Sequence, residues 1–130
     1  MDIGTRPAVE SLSVEEIGRI ATQFGEAATI CRDAGLDGVE PHGAHGYLLN
    51  RFFSPAENPR HDEYGVTLEN RARFGLQVCR AIRRAVGDDL MLLYRHTPVK
   101  ADSYGLDDSL AFARRLVETG VDVLDISPSS

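Results

Sequence analysis

The sequence predicts an α/β protein built on a parallel sheet, with about three strands and three helices in alternation. Three observations carry this. Helical stripes and strand-like apolar runs follow one another along the whole chain. Each predicted helix closes on a glycine, at Gly35, Gly87 and Gly120. One run, Leu90-Met91-Leu92-Leu93-Tyr94, is continuously apolar, as a parallel strand covered on both faces requires.

The first helix opens at Ser13-Val14-Glu15-Glu16, a capping box in which the hydroxyl and the carboxylate satisfy each other's end of the chain. Ile17, Ile20, Ala21, Phe24, Ala28 and Cys31 then recur at helical spacing. Leu36 to Glu40 reads as a short strand. The second helix starts near Thr67 and carries Leu68, Ala72, Leu76, Cys79, Ile82 and Val86. Leu90–Tyr94 is the second strand. The third helix is expected after an Asp107-Asp108 cap, with Leu110, Ala113, Leu116 and Val117 as its apolar stripe. Val121 to Ser127 is the third strand. Strand–helix–strand order implies right-handed parallel crossovers.

The chain has 130 residues, 42% of them hydrophobic and 26% charged, and reads as a single segment over 1–130. Three strand–helix units do not close an eight-fold barrel, which takes about 250 residues. The segment therefore reads as a fragment of a larger domain, or as a half-barrel that self-associates. A net charge of −6 argues against sequence-independent nucleic-acid binding and against an anionic membrane surface. Met1–Pro7 lacks the apolar core of a signal peptide, and no apolar run approaches a membrane span. The two cysteines, Cys31 and Cys79, fall in separate helical stripes and read as buried thiols in a reducing cytoplasm.

One connection is unusually long. About 25 residues from Gly43 to Thr67 separate the first strand from its helix, where roughly 2 to 6 are common. Loops at the C-terminal ends of parallel strands are where such folds keep their chemistry. This loop begins His42-Gly43-Ala44-His45-Gly46-Tyr47. Imidazoles at that mouth can donate N–H to a developing oxyanion, and a phenol can act as general acid. Arg95, directly after the second strand, supplies a permanent cation suited to a phosphate, a carboxylate or a reduced cofactor ring. Alternatives remain for each group. Tyr47 could pack on Leu48 and Phe52, Arg95 could form a structural ion pair, and His42 and His45 could bind Zn²⁺ with His61 or His96. Glu69, Asn70, Arg71 and Arg73 are expected to brace the loop by ion pairs and hydrogen bonds. Neither a glycine-rich dinucleotide fingerprint nor a serine nucleophile elbow occurs.

Ala34-Gly35-Leu36-Asp37-Gly38-Val39-Glu40, followed by His42-Gly43-Ala44-His45-Gly46-Tyr47-Leu48-Leu49, closely resembles the Old Yellow Enzyme family of FMN-dependent oxidoreductases. So do Phe53-Ser54-Pro55, Asn58, Arg60, Asp62-Glu63-Tyr64-Gly65 and Leu68-Glu69-Asn70-Arg71-Ala72-Arg73-Phe74. A looser resemblance runs through Arg95 and Leu124-Asp125-Ile126-Ser127. The resemblance implies a partial (βα)8 TIM barrel covering about the fourth to sixth strands. It implies an ene-reductase with FMN as cofactor and NAD(P)H as reductant, acting on a small-molecule activated alkene or enone. His42 and His45 would hold the substrate oxygen or the nicotinamide amide, Tyr47 would protonate the alkene carbon, and Arg95 would lie beside the flavin pyrimidine edge. The family's phosphate-binding loops fall outside this segment. An inactive half-barrel is therefore the rival expectation, and a metal-dependent barrel hydrolase using His42, His45 and His96 a weaker one. Three departures from the family pattern stand out: Pro41 in a central strand, Val66 in place of glycine, and His96-Thr97 after Arg95. Unpaired strand edges would favour self-association.

Overall fold

The computed structural model describes residues 10–128; the Met1–Pro7 segment considered above lies outside them. The elements run α1 (Val14–Asp33), β1 (Gly38–Val39), β2 (His42–Gly43), α2 (Leu48–Phe53), α3 (Leu68–Val86), β3 (Met91–His96), α4 (Leu106–Glu118) and β4 (Val123–Ile126). β3 is the middle of a parallel sheet. β1 and β2 pair along one side of it and β4 along the other.

β1 and β2 are one extended run. Gly38 faces Met91 and Val39 faces Leu92, then His42 faces Arg95 and Gly43 faces His96, in the same register on both sides of Pro41. Pro41 has no N–H, so the ladder is interrupted there without slipping. Its carbonyl still accepts from the Arg95 amide at 3.2 Å. The strand expected over Leu36–Glu40 is thus displaced: it starts at Gly38 and resumes beyond the proline, which places His42 inside the sheet. β3 likewise extends past Tyr94, so Arg95 and His96 belong to the strand rather than following it. β4 is shorter than its expected span, covering Val123–Ile126.

The helices form where their ends are satisfied. Ser13 and Glu16 make the predicted reciprocal capping box, and Thr67 accepts from the Asn70 amide to start α3. Gly87 caps α3 at φ 57°. At α4 the expectation is corrected. Gly105 is the N-cap, and Asp107 and Asp108 occupy the first turn, where they favour the positive end of the helix dipole instead of capping. The α4 stripe is also rotated: Ser109, Phe112 and Leu116 are buried, while Leu110 and Val117 are exposed. Phe112 wins because it can reach the aromatic cluster of Phe53, Tyr94 and His96. The six-residue α2 inside the long loop was not foreseen; it is too short to show a period.

Strand alternation sorts β3 into two faces. Leu92, Tyr94 and His96 point into the helix layer and are buried, whereas Met91, Leu93 and Arg95 point to the other, more open face. The core lies between β3 and the α1–α3–α4 layer, led by Tyr94, Phe74, Phe112, Ile17, Leu76 and Ile82. A Cβ at Gly43 would run into the Tyr94 ring, so the strand can pass over that ring only as glycine. Cys31 and Cys79 are free thiols; Cys79 is buried as expected, which pushes its thiol up to about 12, whereas Cys31 is only half-buried because it borders the groove beside β1.

Candidate active site

The C-terminal ends of β2, β3 and β4 converge, and the predicted groups meet there. His42 stands on β2 opposite Arg95 of β3. After Gly43 the chain leaves the sheet in a tight turn. Ala44 is fully buried, His45 takes φ 57° and Gly46 φ 74°. Tyr47 then stands at the N-cap of α2. This turn folds the three rings together: His42 lies 5.3 Å from His45 and 5.1 Å from Tyr47 between ring centroids. Tyr47 is 63% exposed, so it does not pack on Leu48 and Phe52 as a core ring would.

The open face of the sheet completes the rim. The Arg95 guanidinium donates from Nη2 to Ser127 Oγ at 3.3 Å, and its Nε lies 3.3 Å from Asp125 Oδ2 without hydrogen-bond geometry. His45 Nε2 shares a 2.8 Å hydrogen bond with Ser127 Oγ. Ser127 therefore links the arginine to the second histidine. Its signal in the sequence was strand alternation, which places Val123, Asp125 and Ser127 on the Arg95 face. Burial lowers the His42 pKa below the ordinary imidazole range, and coulombic repulsion from the neighbouring His45 and Arg95 adds to this, against an opposing pull from Glu40. His42 is consequently neutral at pH 7, with one N–H to donate and one nitrogen to accept.

His96 does not join this rim. It sits 3% exposed on the opposite face of β3, with Nε2 2.8 Å from Ser109 Oγ and its ring among Phe53, Tyr104 and Phe112. Nδ1 makes no hydrogen bond of ordinary geometry. Burial pushes this imidazole down to about 4, so it is neutral in the core. His61 lies exposed in the Asn58–Gly65 loop. The zinc alternative is corrected accordingly: successive strand residues face opposite ways, so His96 cannot turn to His42 and His45. Among the described residues no group of three His, Cys, Asp or Glu side chains could hold a metal ion.

The loop is braced as expected by Asn70, Arg71 and Arg73, whereas Glu69, in the first turn of α3, makes no side-chain hydrogen bond or ion pair among the described residues. Asn70 donates to the Asp62 and Gly65 carbonyls, Arg71 to the Phe53 carbonyl at 2.5 Å and to Asp108 at 3.4 Å, and Arg73 to the Glu63 carbonyl. Arg60 forks onto both oxygens of Asp62 and reaches the Leu12 carbonyl. The hydrogen bonds from Arg60 hold the Asp62 carboxyl below the usual range. Sequence reasoning gave no role to Asn50, Thr97 or Tyr104, which lie buried directly beneath the histidine turn.

Barrel and doubly wound folds alike keep their sites at the C-terminal ends of parallel strands, and of the two this sheet is part of a (βα)8 barrel. The comparisons agree. The structure superposes on a 2-naphthoyl-CoA reductase in complex with 2-naphthoyl-CoA with a TM-score of 0.87 and 29% identity, over 92% of this chain and 19% of that one. It superposes on histamine dehydrogenase from Rhizobium sp. 4-9 with a TM-score of 0.84 and 29% identity, over 97% of this chain and 19% of that one. The chain belongs to the NADH:flavin oxidoreductase / NADH oxidase family, whose profile matches residues 4–129. This is the Old Yellow Enzyme grouping that the motifs indicated. It is 40% identical to an NADH oxidase of Thermoanaerobacter brockii, over 96% of this chain and 19% of that protein. It is 38% identical to an NADPH dehydrogenase of Bacillus cytotoxicus, over 90% of this chain and 34% of that protein. The chain thus spans between a fifth and about a third of these relatives. Among the described residues no helix is long and apolar enough to cross a membrane.

Proposed function

We propose that this chain forms the substrate-binding and proton-donating wall of an FMN-dependent NAD(P)H oxidoreductase of the ene-reductase type. The observation that carries the reading is the convergence of His42, His45, Tyr47 and Arg95 on one rim at the C-terminal ends of parallel strands. Arg95 fits an anionic ring edge. Its side chain is 39% exposed on the open face; Nε is buried and ion-paired to Asp125 at 3.3 Å, while Nη2 lies on the rim at Ser127. FMN, when bound, supplies hydride transfer.

The chain's own residues would do the rest. His42, held neutral, and His45 donate ring N–H groups to the oxygen of an activated carbonyl, polarising the conjugated C=C bond. The same pair suits the amide of a nicotinamide reductant, which occupies the site in alternation. Tyr47, with its phenol exposed above His42, delivers the proton to the carbon next to the carbonyl. Arg95 favours negative charge on the cofactor ring. The free thiols are compatible with a cytoplasmic setting.

The test is made on the full polypeptide that carries these residues. The reading expects a yellow protein with FMN bound non-covalently, consuming NADH or NADPH in the presence of a simple cyclic enone and releasing the saturated ketone. A colourless protein that cannot be reconstituted with FMN would overturn it. A second reading concerns the 130 residues alone, favoured by their covering so small a share of their relatives. On that reading the isolated segment is inactive because its flavin cradle is incomplete. Tight FMN binding with enone reduction by the isolated segment would rule that out.

A further inference from the structure

The histidine turn holds an improbable backbone. His45 and Gly46 both take positive φ, 57° and 74°. For a non-glycine residue such a conformation is unfavourable and persists only where the surroundings impose it. Here the surroundings are polar and buried. The His45 amide donates to Thr97 Oγ1 at 3.1 Å. The Gly46 amide donates to Asn50 Oδ1 at 2.9 Å. Asn50 Nδ2 donates to the Tyr104 hydroxyl at 2.9 Å, and that hydroxyl donates to the Thr97 carbonyl at 2.9 Å. The chain of bonds begins and ends on Thr97. Thr97 is 0% exposed, Asn50 1% and Tyr104 5%.

We infer that Thr97, Asn50 and Tyr104 are positioning residues that lock the His45–Gly46 turn, and thereby aim His45 and Tyr47 at the substrate oxygen and carbon. This rests on the function proposed above. The two amides that are gripped are those of the two left-handed residues, and those residues set the exits of the two rings. The side-chain atoms of Thr97, Asn50 and Tyr104 that make these bonds are each paired, so loss of one leaves its partner unpaired in a largely buried place, which is costly. Tyr104 is a donor there because a phenol is protonated at neutral pH, and burial moves its pKa further up. Thr97 also follows Arg95 by two residues, so the same grip ties the turn to the strand that carries the arginine.

The experiment uses Thr97→Val, nearly the same shape without the hydroxyl, and Tyr104→Phe, with Thr97→Ser as the conservative control. Hydrogen exchange of the His45 and Gly46 amides is measured in the full polypeptide and compared with amides of α1 and α3. For Thr97→Val we expect His45 exchange at least about tenfold faster with the helix amides unchanged. For Tyr104→Phe we expect faster exchange at Gly46, and for Thr97→Ser near wild-type protection. With 2-cyclohexen-1-one as probe, KM should rise more than kcat falls in Thr97→Val, and Thr97→Ser should restore both. Unchanged His45 and Gly46 exchange in both deletion variants would overturn the inference. A uniform loss of protection across the helices would also overturn it, by showing a purely structural role. Selective loss at the turn in a polypeptide that reduces no enone would uphold the lock and sink the proposed function instead.

Discussion

At the scale of single residues, two rings in this chain have opposite assignments because of where they stand. Tyr47 is exposed beside His42, and its proposed task is to deliver a proton. Tyr47→Phe is expected to lower kcat for enone reduction by about 10²-fold or more, the usual contribution of a positioned acid. FMN content and the rate of flavin reduction by NADPH should hold, because neither needs that proton; steady-state and stopped-flow measurements separate the two. His96 is the contrary case, a histidine used as a core ring. Its folded-state pKa is near 4, below the roughly 6.5 of a free imidazole, so the unfolded chain binds the proton first. His96 therefore opposes folding in acid. Its penalty is absent above about pH 6.5 and grows as pH falls toward 4, reaching on the order of 3 kcal/mol at most. Denaturant melts at several pH values should show this acid limb. His96→Leu should flatten it, since Ser109 keeps its bond to the Pro98 carbonyl.

At the scale of elements, the two ends of the sheet are built for different purposes. The C-terminal end carries His42, Arg95 and Ser127. The N-terminal end is stapled by Arg83 of α3, which donates to the carbonyls of Gly87, Leu90 and Gly120 and pairs with Asp122. Arg83→Met should destabilise the fold by about 1–3 kcal/mol by leaving the Leu90 and Gly120 carbonyls, which are only partly open to solvent, without this donor, with no change in KM of the folded protein. The loop leading into α3 shows the reverse, a local flaw. Val66 has φ 73° and is 64% exposed, so it bears backbone strain and gains little burial. Val66→Gly should stabilise by about 1 kcal/mol, the left-handed penalty less the entropy glycine adds to the unfolded chain, measured as a shift in denaturant midpoint at constant slope.

At the scale of the whole molecule, the sheet has two open sides. Beside β1 lies a groove of about 330 Å³ lined by Phe24, Ala27, Ala28 and Cys31 of α1 together with Val39 and Pro41. Beside β4 lies an almost wholly apolar groove of about 230 Å³ lined by Leu110, Ala113, Leu124 and Ile126 among others. Unpaired parallel edges flanked by apolar grooves invite strand pairing. The 130 residues expressed alone are expected to self-associate, with light scattering giving a mass above the monomer that falls on dilution. A single monomeric species at every concentration would show that these edges are self-sufficient.

The sequence by itself determined the alternation of parallel strands and helices, the caps at Ser13, Thr67 and Gly87, and the identity of the rim groups. These are local properties: periodicity, a capping residue and a dense motif are written in adjacent positions. It also flagged Val66 as strained should its φ be positive, because only the side chain matters to that judgement. Tertiary structure decided what depends on residues far apart. Pro41 interrupts the ladder without shifting it because β3 sets the register on both sides. That His96 faces away from Arg95 follows from alternation alone; that His42 and His45 gather on the Arg95 face was decided by the pairing of β2 with β3. Phe112, and not Leu110, enters the core because an aromatic cluster drawn from three elements awaits it. Ser127 and the chain of Asn50, Thr97 and Tyr104 meet the histidine turn across roughly 50 to 80 residues. No local pattern encodes such a meeting; only the folded sheet brings those hydroxyls and amides within hydrogen-bonding reach.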